Sequence, residues 1–509
     1  MHSNNGKAGE APPAAALRPA LCAADRNLSL FQWCLLLLFA FGAFSGAQHL
    51  SRTLLEQVAA AAGVVFLFIA GWRCLLVVLS NPPAETAPAP EIWPRYTILA
   101  ALYDEAEVVE QLIGRLAAID YPPDRLQGFL VLEERDTETR AAAMAAAKPS
   151  WLEVFVAPPG QPGTKPRALN CALPHVTGDL LTVYDAEDAP DPGQLKEAAA
   201  RFIDDATGRL ACLQAPLRIR PARGSVSRFI DRQFAAEYAA LFEITLPGMV
   251  RLGLPFPLGG TSNHFRVDVL RAVGGWDSWN VTEDADLGFR LWRFGWRIGV
   301  IRRPTWETPP GPLRDWLPQR TRWLKGYMQT WGVHTRNPLG LGPRGLFSLL
   351  ITLGLALASA GLYGPTLCWV VASILVALLA GLPPATPALA LAVLILGAMT
   401  AWLSCKVGAR RAGAPYGLWD MIRGPIYWSL LSLAFTHAVW RLLTEPFAWD
   451  KTRHRPDVHT PFNDAALDET ALPGLSAAHV AAPEPVTRNT RHPGVGGLRP
   501  AGQRRRAQA

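Results

Sequence analysis

Apolar residues cluster at the two ends of this chain and thin out in its centre. Leu28–Ala47 runs 20 residues without a charge, and a second apolar run, Val58–Leu79, is interrupted only by Arg73. At about 1.5 Å per residue, such a run covers the roughly 30 Å core of a bilayer. A cleaved signal peptide is the rival reading of the first run; its length and the second run close behind favour a retained helix. Arg73 is expected to snorkel or to face a neighbouring span. Past Gly342 the pattern returns: Phe347–Gly381 is too long for one span and carries a turn signal, Gly361-Leu-Tyr-Gly-Pro365. Ala388–Cys405 and Ile426–Leu443 follow, so the pattern predicts two spans before the centre and about four after it.

Between Arg95 and Gly342 the period changes. Tyr96–Leu102, Phe129–Leu132, Leu152–Val156 and Leu180–Tyr184 are short apolar runs of strand length, and Glu105–Ala118 has helical spacing. Strands alternating with helices predict an α/β domain whose parallel sheet is covered on both faces. Ligands then bind at the carboxyl ends of the strands. The expected organisation is a disordered leader over 1–27, two spans over 28–80, a Pro-rich linker over 81–94, the α/β domain over 95–342, a helical bundle over 343–445 and a basic, largely disordered tail over 446–509. Phe229–Leu246 is amphipathic and reads either as a helix lying at the membrane interface or as core packing.

Composition narrows the class. Half of the 509 residues are hydrophobic and 18% are charged, against about 25% in soluble chains; a wholly soluble enzyme is excluded. The seven cysteines are scattered and never spaced C-x-x-C, so neither a zinc site nor a disulfide framework follows. The net charge of +7 lies mostly at span edges and in Arg504–Arg506. That fits the positive-inside bias or anionic lipid rather than nucleic acid, and puts the central domain in the cytosol.

The chemistry gathers where strands end. Asp185, Glu187 and Asp188 follow the buried run Leu180–Tyr184; carboxylates so close repel unless a cation lies between them, and hard oxygen donors suit Mg²⁺ or Mn²⁺ shared with phosphates. A helix-capping acidic turn is the plainer alternative. Tyr103-Asp104-Glu105 follows the first strand and Glu133-Glu134-Arg135-Asp136 the second, placing an aromatic ring and carboxylates where a nucleotide would lie. Lys165, Arg167 and Asn170 add two cations and an amide. Thr282-Glu283-Asp284 opens a helix, either as an ordinary cap or as a carboxylate that the helix dipole keeps ionised for use as a base. Gln319, Arg320, Arg322, Trp323 and Lys325 combine guanidinium forks with an indole, suited to diphosphate oxygens and to a sugar face, or else to a membrane surface.

The ordered set, with VYDAED, GGTSNHFR, NVTEDADLG, QRTRWLKGYMQTW and EPFAWDKTRH, resembles the membrane-embedded family 2 glycosyltransferases of the cellulose synthase and hyaluronan synthase type, bacterial exopolysaccharide transferases in particular. The resemblance implies a GT-A type nucleotide-sugar domain between transmembrane helices. It implies that Asp185 and Glu187 stand for the metal-binding Asp-x-Asp pair, with Asp188 sharing the role, and that Asp284 is the general base. It places Tyr103, Glu105, Glu134, Lys165, Asn170 and Arg322 at the nucleotide sugar, and Thr261, Ser262, Glu283, Gln319 and Trp323 at the acceptor. Glu187 and Glu134 stand where the family usually has Asp.

The expected activity is inverting transfer of a sugar, glucose foremost, from a UDP-sugar to a growing β-linked polysaccharide, at the cytosolic face of a bacterial inner membrane and coupled to export. Mg²⁺ or Mn²⁺ would be the cofactor. The partners would be a glycan or lipid acceptor, membrane lipids and separate regulatory or export subunits. A single-transfer glycolipid synthase is the alternative, and a non-catalytic export or receptor component on a transferase scaffold the second.

Overall fold

In a computed structural model the chain is described over residues 21–25, 27–48, 52–81, 90–220, 228–381 and 388–449. Most of the expected leader, linker and tail lies outside these residues. Among the described residues ten strands form: β1 Tyr96–Leu102, β2 Leu126–Glu133, β3 Leu152–Ala157, β4 Leu180–Tyr184, β5 Ala189–Pro190, β6 Leu210–Gln214, β7 Leu217–Ile219, β8 Asn263–Arg266, β9 Arg297–Val300 and β10 Thr305–Glu307. Seven make one sheet in the order β3-β2-β1-β4-β8-β6-β9, while β5-β10-β7 make a small second one. β8 runs antiparallel to both β4 and β6, so the sheet is mixed rather than all parallel as expected. The alternation survives nonetheless: Ile98, Ala100, Leu130 and Leu132 pack on one face, Leu99, Val131, Val183 and Phe265 on the other.

Helices α1 Leu30–Gln48 and α2 Arg52–Leu79 precede the sheet. α3 Val109–Ala117, α4 Thr137–Ala145, α5 Lys165–Ala172 and α6 Gln194–Ile203 alternate with its first strands. α7 Arg228–Ala240, a π turn at Leu241–Thr245 and α8 Leu246–Arg251 make one continuous amphipathic rod, followed by α9 Val267–Ala272, α10 Glu283–Arg293 and α11 Leu313–Thr335. The rod buries Phe234, Tyr238 and Phe242 in the core, and Ala236 packs beside Ala409 in a smaller buried cluster, as the core-packing reading expects.

After the sheet come α12 Gly342–Leu349, α13 Leu355–Leu379, α14 Ala388–Ala412 and α15 Leu418–Thr444. The expected break at Gly361–Pro365 lies inside α13. Those glycines serve close packing: a Cβ at Gly361 would meet the Phe435 ring and one at Gly364 the Ser432 side chain, both on α15. The Gly364 N–H also donates to the Ser432 hydroxyl. Two helices among the described residues are long and apolar enough to cross a membrane, Pro338–Leu379 and Leu391–Ala412. Phe41, Val78, Leu379 and Leu443 point outward, an apolar surface that water alone does not favour.

Gly288 faces the Phe256 backbone so closely that an added Cβ would overlap its carbonyl oxygen. We expect Gly288→Ala to destabilise the domain by about 1–3 kcal/mol through overpacking, read as a lower thermal midpoint, and an unchanged midpoint would count against this packing.

Candidate functional site

The order β2-β1-β4 reverses direction of travel at β1, and the crevice beyond the carboxyl ends of β1 and β4 is where such sheets bind ligands. β4 is buried throughout and delivers Asp185 to that crevice. The turn that follows is braced from beneath. Asp188, fully buried, accepts the Asp185 N–H at 2.6 Å and the Thr261 hydroxyl, while Arg115 of α3 donates to the Glu187 carbonyl at 2.9 Å. Burial, then the Asp185 charge, pushes the Asp188 carboxyl up to about 8. Asp188 thus sits under the turn, and Asp185 and Glu187 remain as the carboxylates at its open side.

Lys165, at the start of α5, joins three segments. Its ammonium pairs with the Asp185 carboxylate and donates to the Gly260 carbonyl at 2.8 Å. A Cβ at Gly260 would lie 3.4 Å from Asp284 Oδ2. Asp185, Lys165, the Gly260 loop and Asp284 therefore form one continuous surface, although 99 residues separate the two aspartates.

Asp284 lies in the first turn of α10, and its Oδ1 accepts the Ala285 N–H at 2.8 Å. Thr282 makes no side-chain capping bond, so the plain capping role fails. Its side chain packs instead on Gly326 of α11, where any Cβ would collide with it. Burial raises Asp284 to about 6, opposed by the Ala285 N–H, Lys165 and Arg322. Burial and the Asp284 charge raise Glu283 to about 8. Glu283 is thus pushed further toward its neutral form than Asp284.

α11 forms the next wall. Arg322 reaches toward the Val281 carbonyl at 3.5 Å and lies over the Trp449 ring at 4.7 Å. Trp323 packs beside Phe234 and Tyr238, with the Arg320 guanidinium 4.6 Å from its ring. Gln319 Oε1 is buried and has no hydrogen-bond partner among the described residues. Lys325 and Gln329 donate to the Ala448 and Pro446 carbonyls, fastening Glu445–Trp449 along the helix.

Several expected ligand contacts point elsewhere. Asn170 uses both ends of its amide to hold the turn at Trp276–Ser278, at 2.7, 3.0 and 3.2 Å. Ser262 is fully buried and donates to Thr305, and Thr261 serves Asp188; neither side chain faces the crevice. Glu134 is exposed at the tip of its turn. The carboxylate built into that region is Asp136, which caps α4 at Thr139 and takes the Asp104 N–H at 2.6 Å. Tyr103 is 40% exposed, with Arg135 stacked 4.6 Å from its ring, and Glu105 is buried behind it. Unforeseen neighbours include Thr308, which donates to Glu187 at 3.0 Å, and Glu307, whose buried carboxyl is pushed well up by burial and by Asp188, Glu187 and Asp185. Both lie on or beside the three-residue β10, too short to carry a periodic signal.

The model for family 2 glycosyl transferases matches residues 97–245, and that for glycosyl transferase family group 2 matches 180–405. Together they span well over half of the chain. The chain belongs to the family 2 glycosyltransferases. Within the family it is 27% identical over 280 residues to a beta-monoglucosyldiacylglycerol synthase of Synechocystis, 53% of this chain and 57% of that one. It is 25% identical to the probable glycosyltransferase YdaM of Bacillus subtilis, over 52% of this chain and 62% of the relative. It is also 28% identical to a cellulose synthase 1 catalytic subunit of Komagataeibacter xylinus, over 51% of this chain and 34% of the relative. The matches thus span between a third and two thirds of the relatives' lengths. A solved mannosyltransferase, PcManGT from Pyrobaculum calidifontis in complex with GDP-Man and Mn²⁺, superposes with a TM-score of 0.48 at 17% identity, covering 76% of this chain and 99% of that one.

The division between brace and open side is testable. Asp188→Ala leaves the Asp185 N–H without its acceptor, at roughly 1–3 kcal/mol for a buried donor, and leaves the Thr261 hydroxyl only the Val183 carbonyl, whereas Glu187→Gln keeps the fold intact. Thermal melts are expected to fall for the first variant only; equal losses would contradict the assignment.

Proposed function

We propose that this family 2 chain transfers glucose from UDP-glucose, with inversion, to a growing β-linked glycan at the cytosolic face of a membrane. One observation carries the reading: Lys165 ties the Asp185 turn to the Gly260 loop beside Asp284, so a diphosphate site and a base share one crevice. Asp284 removes the proton from an acceptor hydroxyl, which attacks the anomeric carbon from the side opposite the diphosphate. Arg322 and Lys165 are fixed cations that favour charge gathering on the departing oxygens. Asp185 and Glu187 are hard oxygen donors at the open side of the turn, paired here with Lys165 and Thr308, and behind them the buried Asp188 Oδ1 has no hydrogen-bond partner among the described residues; this donor set suits Mg²⁺ or Mn²⁺. That ion, when bound, would neutralise the leaving diphosphate. Outward-facing Phe41, Val78 and Leu379 and the two long apolar helices support a place in the bilayer, that of a bacterial inner membrane.

A second reading, transfer of one sugar to a lipid, is favoured by the similarity to beta-monoglucosyldiacylglycerol synthases. Purified protein in lipid vesicles, given UDP-[¹⁴C]glucose with and without diacylglycerol, separates the two by product mass. A polymer supports the first reading, a monoglucosyl lipid replaces it with the second, and no UDP release with any UDP-sugar leaves a non-catalytic scaffold.

Two further outcomes follow from the charges. Asp284→Asn is expected to keep donor binding and lose about 10²–10⁴-fold in turnover. Because only the ionised base works, kcat/KM should fall as pH drops through about 6. A flat profile between pH 5 and 7 in stopped UDP-release assays would remove Asp284 from that role.

A further inference from the structure

Arg320 lies between the two α11 residues expected at the acceptor, Gln319 and Trp323, yet its side chain is only 6% exposed and cannot reach a ligand. Its guanidinium sits among aromatic faces, 4.6 Å from the Trp323 ring, 4.8 Å from Phe234 and 5.6 Å from Trp316. Both ends of its fork are taken by Glu237 of α7, at 2.8 and 2.5 Å. The Tyr427 hydroxyl of α15 completes the unit: it donates to Glu237 at 2.7 Å and accepts from Arg320 at 3.0 Å and from Trp316 at 3.2 Å. A planar, permanently charged fork suits this place, because it stacks and pairs bidentately at once; an ammonium does neither.

We propose that Arg320 is a positioning residue: clamped by Glu237 and Tyr427, it sets the tilt of the Trp323 indole, so that helices α7 and α15 together fix the platform on which the acceptor rests. The proposal rests on the placement of Trp323 at the acceptor that the family resemblance implies. Among the described residues the hydrogen bonds of Arg320, Glu237 and Tyr427 run to one another and to Trp316, none to Asp185 or Asp284, so donor handling is expected to change little when the clamp is loosened. Three helices distant in sequence meet at one guanidinium, and loosening any partner frees the indole without opening the nucleotide end. The clamp is held by hydrogen bonds of specific length rather than by bulk, which is why conservative substitutions read it out.

The test uses full-length protein in lipid vesicles and the variants Glu237→Gln, Tyr427→Phe and Arg320→Lys, each close in size to the parent. Hydrogen–deuterium exchange needs no substrate: faster exchange confined to the α11 peptide around Trp323 is expected, and exchange equal to the parent overturns the clamp. Kinetics then separate positioning from general support. With UDP-glucose and vesicles containing diacylglycerol, or cellotetraose as the soluble acceptor, acceptor KM should rise roughly five- to tenfold. UDP release without acceptor should stay within about twofold of the parent. In a Trp323→Ala background the Glu237→Gln effect should vanish, since both act through one ring. Parallel loss of transfer and acceptor-free release, or additive effects in the double variant, would refute a positioning role. Absence of UDP release in the parent would instead count against the proposed function, with the exchange measurement still deciding the clamp.

Discussion

One ammonium group holds the centre of this molecule together. Lys165 is surrounded by the carboxylates of Asp185 and Glu283 and by the Gly260 carbonyl, in a setting where burial alone would drive an amine toward neutrality. The acids outweigh burial and hold its pKa above the ordinary value, and the lysine in turn opposes the upward push that desolvation gives Asp284. Neither sign of charge is stable there without the other. That mutual dependence links the end of β4, the loop before β8 and the start of α10 to one another.

α11 extends the same logic to the helices outside the sheet. One side of it lies against the Thr282 turn through Gly326, another presents Trp323 and Arg320 to α7, and a third carries Glu445–Trp449. A single rod thus reports to the base, to the aromatic cluster and to the last residues of the helical region. Its buried polar side chains, Lys325, Gln329 and Thr330, each meet a backbone or side-chain partner, which specifies one rotation of the rod about its axis.

Much of this was legible from the residues. The first four strands appear within a few residues of their expected places because each is a dense apolar run bounded by polar turns. The carboxylates that follow β4 and open α10 stood out because charge seldom collects at strand and helix ends without a use. Less was visible where function depends on which way a side chain turns. Ser262, Thr261 and Asn170 are polar residues in suggestive places, but each bonds inward to a neighbouring loop. Asp136 rather than Glu134 is built into the β2 turn because its shorter side chain reaches the N–H of Thr139. The glycines of α13 looked like a turn because sequence spacing alone does not reveal a close-packed partner such as α15. β8 escaped notice because four residues, Asn263–Arg266, alternate too briefly to read as a strand.

The contact between Arg322 and Trp449 has a consequence in time. The ring lies beyond α15, about 130 residues downstream of the guanidinium it covers, and at some 5–20 residues per second a ribosome needs roughly 6–25 s to bridge that interval. A nascent chain therefore carries its paired aspartates long before this aromatic cover exists. That wall arrives only when α11 to α15 have all been synthesised, so the pocket is completed well after its carboxylates have been made.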